Sequence, residues 1–369
     1  MIPQSSPLAG YHGAKDAIDT AIARVLESGW YILGEEVRRF ERDFAIAMQA
    51  RWSVGVGSGT DAIELALRAL GVRQGDAVIT VSHTAIATAF AIHRIGAVPL
   101  FVDIEPGRYT MSPTSLAAAL ATPEGQRAKA LVVVHLYGQM ADMPALLELA
   151  GWHGLKVVED CAQAHGASLK GRLAGSWGDL AAYSFYPTKN LGALGDGGAI
   201  AGSDPALEQE LKLLREYGWK QRYVSEVVGY NSRLDELQAA ILNARLPLLS
   251  AANARRREIA NRYDQKLAGS TVITPLRIAN SIPVFHQYVI ECEQRDALRK
   301  ALTNAGINTL IHYPAAAHQQ PVFSDRQHQP VTLTTTEAAV TRILSLPMFP
   351  ELTNCQVDAV AVSVLQHAP

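Results

Sequence analysis

The chain has 369 residues, 48% hydrophobic and 18% charged, which excludes a disordered or coiled-coil protein. Lys and Arg number 33 against 35 Asp and Glu, and the resulting net charge of -2 offers no overall field for nucleic acid or an anionic membrane. At about 150 residues per domain, the length predicts two domains or three.

Three scattered cysteines, Cys161, Cys292 and Cys355, form no CxxC pair, so no zinc site and no disulfide framework is predicted. The N-terminal segment lacks a basic start followed by a long apolar core, and no apolar run reaches the roughly 18 residues that span a bilayer. The expectation is a soluble cytoplasmic protein with neither membrane nor nucleic-acid partners.

Along the chain, TDAIELALRAL reads as a helix stopping at Gly71. Short β-branched runs then alternate with helical patterns. Ala77 to Val81, Val98 to Ile104, Ala130 to Leu136, Leu155 to Asp160 and Ala181 to Phe185 read as buried strands. PALLELAGWHG reads as the helix before the fourth of them. This alternation predicts an α/β fold with a mostly parallel sheet covered by helices on both faces. Past Gly198 the pattern turns helical, with Leu207, Leu211 and Leu214 on one face. The long helical stretch from Asp235 to Leu267 holds Pro247, which must divide or kink it. FHQYVIEC then reads as a strand, and DALRKALTNAGI as a helix ending near Gly306. The predicted division is a large domain, 1–245, and a smaller α+β domain, 246–369.

Ligands of such sheets bind beyond the carboxyl ends of the strands, which directs attention to three segments. Gly55 to Leu67 is a glycine-rich turn opening a helix, with Ser58 and Thr60 beside its free N–H groups: a phosphate cradle or an ordinary capped helix. Asp160 ends a strand, with Gln163 and His165 close by: a metal ligand, a base, a partner for a cationic ring, or a helix cap. Lys189 follows the strand that carries Ser184 and precedes a run of glycines. It is either a solvated surface lysine or an amine made nucleophilic by partial desolvation. A phosphate cradle, a strand-end carboxylate and a nucleophilic lysine together are what pyridoxal 5'-phosphate requires.

The segments GSGTDAIELAL, HLYGQMADM, VVEDCAQAHGA, YSFYPTKNLGALGDGGAI, GYNSRLDELQAAIL and HYPAAAHQQP, in this order, resemble the DegT-type sugar nucleotide aminotransferases. The resemblance spans nearly the whole chain and implies a fold type I enzyme using pyridoxal 5'-phosphate. By it, Lys189 forms the Schiff base with the cofactor, Asp160 pairs with the pyridine nitrogen, and Gln163 lies beside the 3-hydroxyl. Ser184, Thr60 and the backbone around Gly59 and Asp61 hold the phosphate. Asn231 reaches the phosphate of the neighbouring subunit, which implies a homodimer with shared active sites. Arg233, His312, Tyr313 and His318 face the sugar nucleotide. The implied reaction converts a dTDP- or UDP-linked keto sugar, of the 3-keto-6-deoxyhexose type, to the amino sugar, with glutamate as donor. A cofactor-dependent sugar dehydratase is associated with histidine at the lysine position, and a non-catalytic binder needs no nucleophile, so Lys189 weighs against both. The sequence departs from the family at Ala85, where an aromatic residue commonly stacks on the cofactor ring. His83 is then expected either to cover the ring in its place, or to cap the next helix or meet solvent.

Overall fold

The computed structural model describes residues 1–323 and 332–368. Seven strands form its central sheet: β1 (Trp52–Val56), β2 (Ala77–Val81), β3 (Val98–Val102), β4 (Ala128–Val134), β5 (Lys156–Asp160), β6 (Leu180–Ser184) and β7 (Gly198–Gly202). Their order across the sheet is β1-β7-β6-β5-β4-β2-β3. β2, β3, β4, β5 and β6 run parallel, while β7 is antiparallel to both β6 and β1. The parallel strands read as continuous apolar runs because helices cover both faces. Two clusters of buried side chains show this, one around Phe40, Phe44, Leu131 and Val133, the other around Val54, Leu65, Val132 and Ile200.

The five strands expected from sequence are present, with ends shifted by up to two residues. β1 and β7 were not foreseen. β7 is Gly-Ala-Ile-Ala-Gly, with little of the β-branched character that marks a strand. Its small residues are required by close neighbours: a Cβ on Gly202 would lie 2.6 Å from the Trp52 ring, and one on Gly198 2.4 Å from the Ser58 carbonyl.

Pro247 divides the long helical stretch as expected, into Glu236–Arg245, a 3-10 turn Leu246–Leu248, and Leu249–Leu267. Beyond it, β8 (Tyr288–Glu291) pairs antiparallel with β9 (Ile343–Leu346). Helices Leu249–Leu267, Arg295–Asn304 and Asn354–His367 share a third core that includes Tyr263, Tyr288, Leu298, Leu344 and Val360. The N-terminus joins this part of the molecule, for Ile2 bridges to Ile307 and the Gln4 carbonyl accepts from Met348 N–H at 3.0 Å.

The register puts Asp160, the last residue of β5, opposite Val134 of β4 and Ala182 of β6, at the middle of the sheet's carboxyl edge.

Candidate active site

β6 delivers Ser184 and then turns through residues 185–197 into β7. The turn is tight: Lys189 N–H donates to the Tyr186 carbonyl at 2.8 Å, and Ala193 N–H to that of Phe185 at 2.7 Å. Gly192 belongs here because a Cβ would lie 2.6 Å from the Pro187 carbonyl oxygen. Asn190 anchors the turn, its Nδ2 donating to Asn253 Oδ1 at 2.8 Å and to the Val284 carbonyl at 3.0 Å. Lys189 is thereby held half-buried beside the end of β5. Burial pushes its amine down to about 8, against the opposing charge of Asp160. The histidines facing it are neutral, since burial lowers His165 to about 3 and His312 to about 4 and carries His286 well below its ordinary value.

Asp160 is 5% exposed. One carboxylate oxygen accepts from Ala162 N–H at 3.1 Å and the other from the Thr88 hydroxyl at 2.8 Å. Burial raises its pKa, and Thr88, Ala162 and Lys189 oppose the rise. An ionised carboxylate has about four acceptor positions. Two remain for a cationic donor. Gln163 is oriented on both sides: its Oε1 accepts from Tyr137 N–H at 2.7 Å and its Nε2 donates to the Tyr313 hydroxyl at 3.1 Å, leaving one amide hydrogen. Tyr313, expected on the sugar, is therefore a neighbour of Gln163, with burial raising its pKa to about 12.

The helix Gly59–Ala69 starts against Ser184. A Cβ on Gly59 would lie 2.6 Å from Ser184 Cβ and 3.1 Å from its hydroxyl. The glycine lets the helix N-terminus and the hydroxyl converge on one point, the geometry of an anion cradle. Ser58 caps this helix, accepting from Asp61 N–H at 3.1 Å. The Asp61 carboxylate accepts from Ser232 Oγ at 2.8 Å and lies 3.4 Å from Arg94. Asp61 thus shapes the turn, whereas the N–H groups of Gly59 and Thr60 make no hydrogen bond among the described residues. The hydroxyls, the free N–H groups, the half-used carboxylate and the depressed lysine fit the phosphate, ring nitrogen and aldehyde of pyridoxal 5'-phosphate.

Ser232 also accepts from Gly57 N–H at 3.0 Å, so the segment 231–233 docks at the same helix start. Asn231 itself is exposed, its backbone bridging to Glu216. Arg233 lies 3.9 Å from Glu216 and over the Tyr217 ring. His312 pairs with Ser345 at 2.8 Å. His318 is held 2.6 Å from Ser82 and 3.2 Å from Glu337, so its ring nitrogens are already engaged. Asn231 and Arg233 thus flank Ser232 at the helix start, and Tyr313, next to His312, lies against Gln163.

The placement of His83 differs from both expectations. Its ring is 1% exposed and tilted edge-on to Tyr137 beside Tyr109. Tyr137 donates to the His312 carbonyl, and so accepts from His83 Nε2 at 2.8 Å. Enclosed between two tyrosines, the imidazole has no open face for a cofactor ring. Nor does it cap the helix Ile86–Arg94, whose N-cap residue is Ala85 without a side-chain hydrogen bond. Sequence reasoning missed Tyr137 and Thr88. Tyr137 lies within HLYGQ, which carried the resemblance but suggested no role. Thr88 had no signal, because only the tertiary fold brings its hydroxyl to Asp160, 72 residues away in sequence.

A second strand-end group, His135, Glu159 and Cys161, brings its ligand-type atoms within 4.8 Å of one another. Hydrogen bonds account for it. Ala141 N–H donates to His135 Nδ1 at 3.1 Å, so the proton sits on Nε2 and is donated to Glu159 at 2.9 Å. Glu159 accepts further from the N–H groups of Gly175, Trp177 and Gly178.

Known proteins place this geometry. A relative from Saccharopolyspora erythraea, the erythromycin biosynthesis sensory transduction protein EryC1, is 46% identical over 96% of both chains. The dTDP-3-amino-3,4,6-trideoxy-alpha-D-glucose transaminase of Streptomyces venezuelae is 45% identical over 98% of this chain and 94% of its own. The crystal structure of S. venezuelae DesV in complex with a ketimine intermediate superposes with a TM-score of 0.95, at 44% identity, over 99% of this chain and 98% of that one. The fold is therefore that of the fold type I enzymes, and the cofactor is pyridoxal 5'-phosphate. The DegT/DnrJ/EryC1/StrS aminotransferase family model matches residues 13–365, and the chain belongs to that family.

Proposed function

We propose that this aminotransferase moves an amino group from glutamate to the keto carbon, C3, of a nucleotide-linked sugar. The observation that carries the reading is Lys189, an amine lowered to about 8 and held beside a buried carboxylate. When bound, pyridoxal 5'-phosphate supplies the electron sink and the carrier for the amino group. The N–H groups of Gly59 and Thr60 and the hydroxyls of Thr60 and Ser184 bind its phosphate, with Asp61 holding their turn. Asp160 keeps the proton on the pyridine nitrogen, through an ion pair in a site that excludes most water. Gln163 offers its remaining amide hydrogen to the 3-hydroxyl. Lys189 Nζ, poised near neutrality, takes and returns the proton at the substrate carbon.

Asn231 has no side-chain partner within its own chain among the described residues, in keeping with a role at the partner's phosphate in a homodimer. Arg233 and His312, half-buried at the rim, are placed for the nucleotide and sugar, with Tyr313 reaching them from Gln163; His318 is placed to support this wall through Ser82. The C3 assignment rests on the name of the transaminase relative, and the division into 1–245 and 246–369 on the separate core of the C-terminal part. No helix among the described residues is long and apolar enough to cross a membrane. Three unpaired cysteines accord with a cytoplasmic setting.

A second reading, a sensor without turnover, draws on the printed name of the EryC1 relative. The visible spectrum separates the two. The purified protein is expected to be yellow, to bleach on addition of glutamate, and to recover when a dTDP-linked 3-keto sugar is supplied, with the amino sugar as product. A spectrum indifferent to glutamate would favour the sensor.

A further inference from the structure

The Asp160 carboxylate does not stand alone at the end of β5. Its Oδ2 accepts from the Thr88 hydroxyl at 2.8 Å, and Thr88 Oγ1 lies 3.0 Å from Thr84 Oγ1. All three residues are buried, Thr88 completely. An ionised carboxylate only accepts, so the Thr88 proton points to Asp160 and its oxygen is left to accept from Thr84. The result is a directed chain of two hydroxyls. It enters Asp160 from the helix Ile86–Arg94, and Ala162 N–H is the only other hydrogen-bond donor to this carboxylate among the described residues. The Thr88 hydroxyl is the sole side-chain contribution. A hydroxyl buried at 0% exposure and aimed at a charged acceptor fixes the rotamer of that acceptor as well as its charge.

We propose that Thr88 is a positioning residue for the cofactor: its hydroxyl holds Asp160 ionised and turned so that the free lone pairs face the pyridine nitrogen, with Thr84 orienting Thr88. The proposal rests on the placement of Asp160 at the ring nitrogen. Burial works to neutralise Asp160, and Thr88 is the largest of the influences that oppose it. Without the hydroxyl the carboxylate gains freedom to rotate and a stronger tendency to take up a proton. Both weaken its pairing with a protonated ring.

Equilibrium binding to the apo-protein tests this with two probes, pyridoxal 5'-phosphate and its 1-deaza analogue, in which carbon replaces the ring nitrogen. Thr88→Val keeps the shape and removes the hydroxyl. It is expected to weaken pyridoxal 5'-phosphate about tenfold, the loss of one hydrogen bond to a buried charged acceptor, and to leave the deaza analogue within about twofold. Thr88→Ser is expected to restore binding. In Asp160→Asn the same selective loss should appear, and adding Thr88→Val to it should cost little more, because both act on one contact. Equal weakening of both probes by Thr88→Val would mean that the residue only packs, and would overturn the proposal. Thermal unfolding of the apo-protein identifies a variant that fails to fold, and Thr88→Ser then carries the test: selective weakening of pyridoxal 5'-phosphate by Ser would contradict the role of the hydroxyl. If Asp160→Asn treats the two probes alike, Asp160 does not meet the ring nitrogen and the proposal falls with that placement. If it discriminates while Thr88→Val does not, the proposal about Thr88 alone fails.

Discussion

Glu159 and Asp160 end the same strand and, as successive residues, point to opposite faces of the sheet. Around Glu159 every acceptor position is taken, by His135 and by three backbone N–H groups from 175–178. These donors hold its carboxyl below the ordinary value in spite of complete burial. Around Asp160 only Thr88 and Ala162 donate among the described residues, and its carboxyl is raised instead. One carboxylate is finished by the fold, and the other is left half-satisfied next to Lys189. A buried acceptor with unused lone pairs costs stability, and that cost is recovered when a ligand with a matching donor binds. The contrast supports the proposal that Glu159 is structural and Asp160 functional, without reference to their neighbours in sequence.

The contrast is broken most severely by removing Lys189, the cation beside Asp160. Lys189→Ala is expected to abolish turnover in a steady-state assay while the apo-protein unfolds at its usual temperature, since one side chain is shortened and no hydrogen bond is lost. Asp160→Ala should lower kcat by about a hundredfold or more and loosen the cofactor on dialysis, with a loss of apo stability of about 1–3 kcal/mol for the buried Thr88 hydroxyl left without its acceptor. Near-normal turnover in that variant would reduce Asp160 to a local cap.

Glu159→Gln should do the reverse. It leaves one backbone donor facing an amide and removes the charge opposite His135. With the amide nitrogen in the place of Oε2, the buried His135 Nε2–H and Gly175 N–H lose their acceptor, at about 1–3 kcal/mol each. Urea unfolding of the apo-protein should show that loss, while the folded fraction keeps its cofactor affinity. A stable variant with weak cofactor binding would invert the assignment of the two carboxylates.

Acid should expose the histidines next. His83 and His312 are lowered to about 4 and His165 to about 3, and His286 is lowered as well. The unfolded chain, with histidines near 6.5, binds more protons than the folded one between about pH 4 and 6.5. Stability therefore rises with pH through that window and is lost as the pH falls through it. Asp160, raised in the fold, acts in the opposite sense but is a single group. Replacing His165 by Phe should flatten the slope of unfolding free energy against pH; an unchanged slope would remove His165 from this set.

The smallest signal is expected from complementation at the rim. Mixing inactive Lys189→Ala chains with inactive Asn231→Asp chains should restore part of the activity, because one of the two sites in a mixed dimer keeps both residues. No recovery in demonstrably mixed dimers would place Asn231 within its own site.

The parts legible in the sequence were those fixed by strand chemistry. Parallel strands buried on both faces announce themselves as apolar runs, and the residues just past them, Asp160 and Lys189, lie where ligands gather. β7 was hidden because its glycines answer to Trp52 and Ser58, contacts between distant segments. His83 was misjudged for the same reason: two residues from the expected stacking position in sequence, it is folded away beneath Tyr109 and Tyr137. Thr88 and Tyr137 act through hydrogen bonds to residues distant in sequence, which no local pattern encodes. The proposed phosphate cradle was readable as a motif, yet only the structure shows that the Asp61 N–H is committed to Ser58 while those of Gly59 and Thr60 make no hydrogen bond among the described residues.

The most direct measurement is covalent trapping. Holoenzyme treated with borohydride and digested is mapped by mass spectrometry for the pyridoxyl adduct. The expected result is a single modified peptide containing Lys189, absent from the Lys189→Ala protein. An adduct on any other lysine, or no adduct on yellow, glutamate-responsive enzyme, would contradict the assignment of this site.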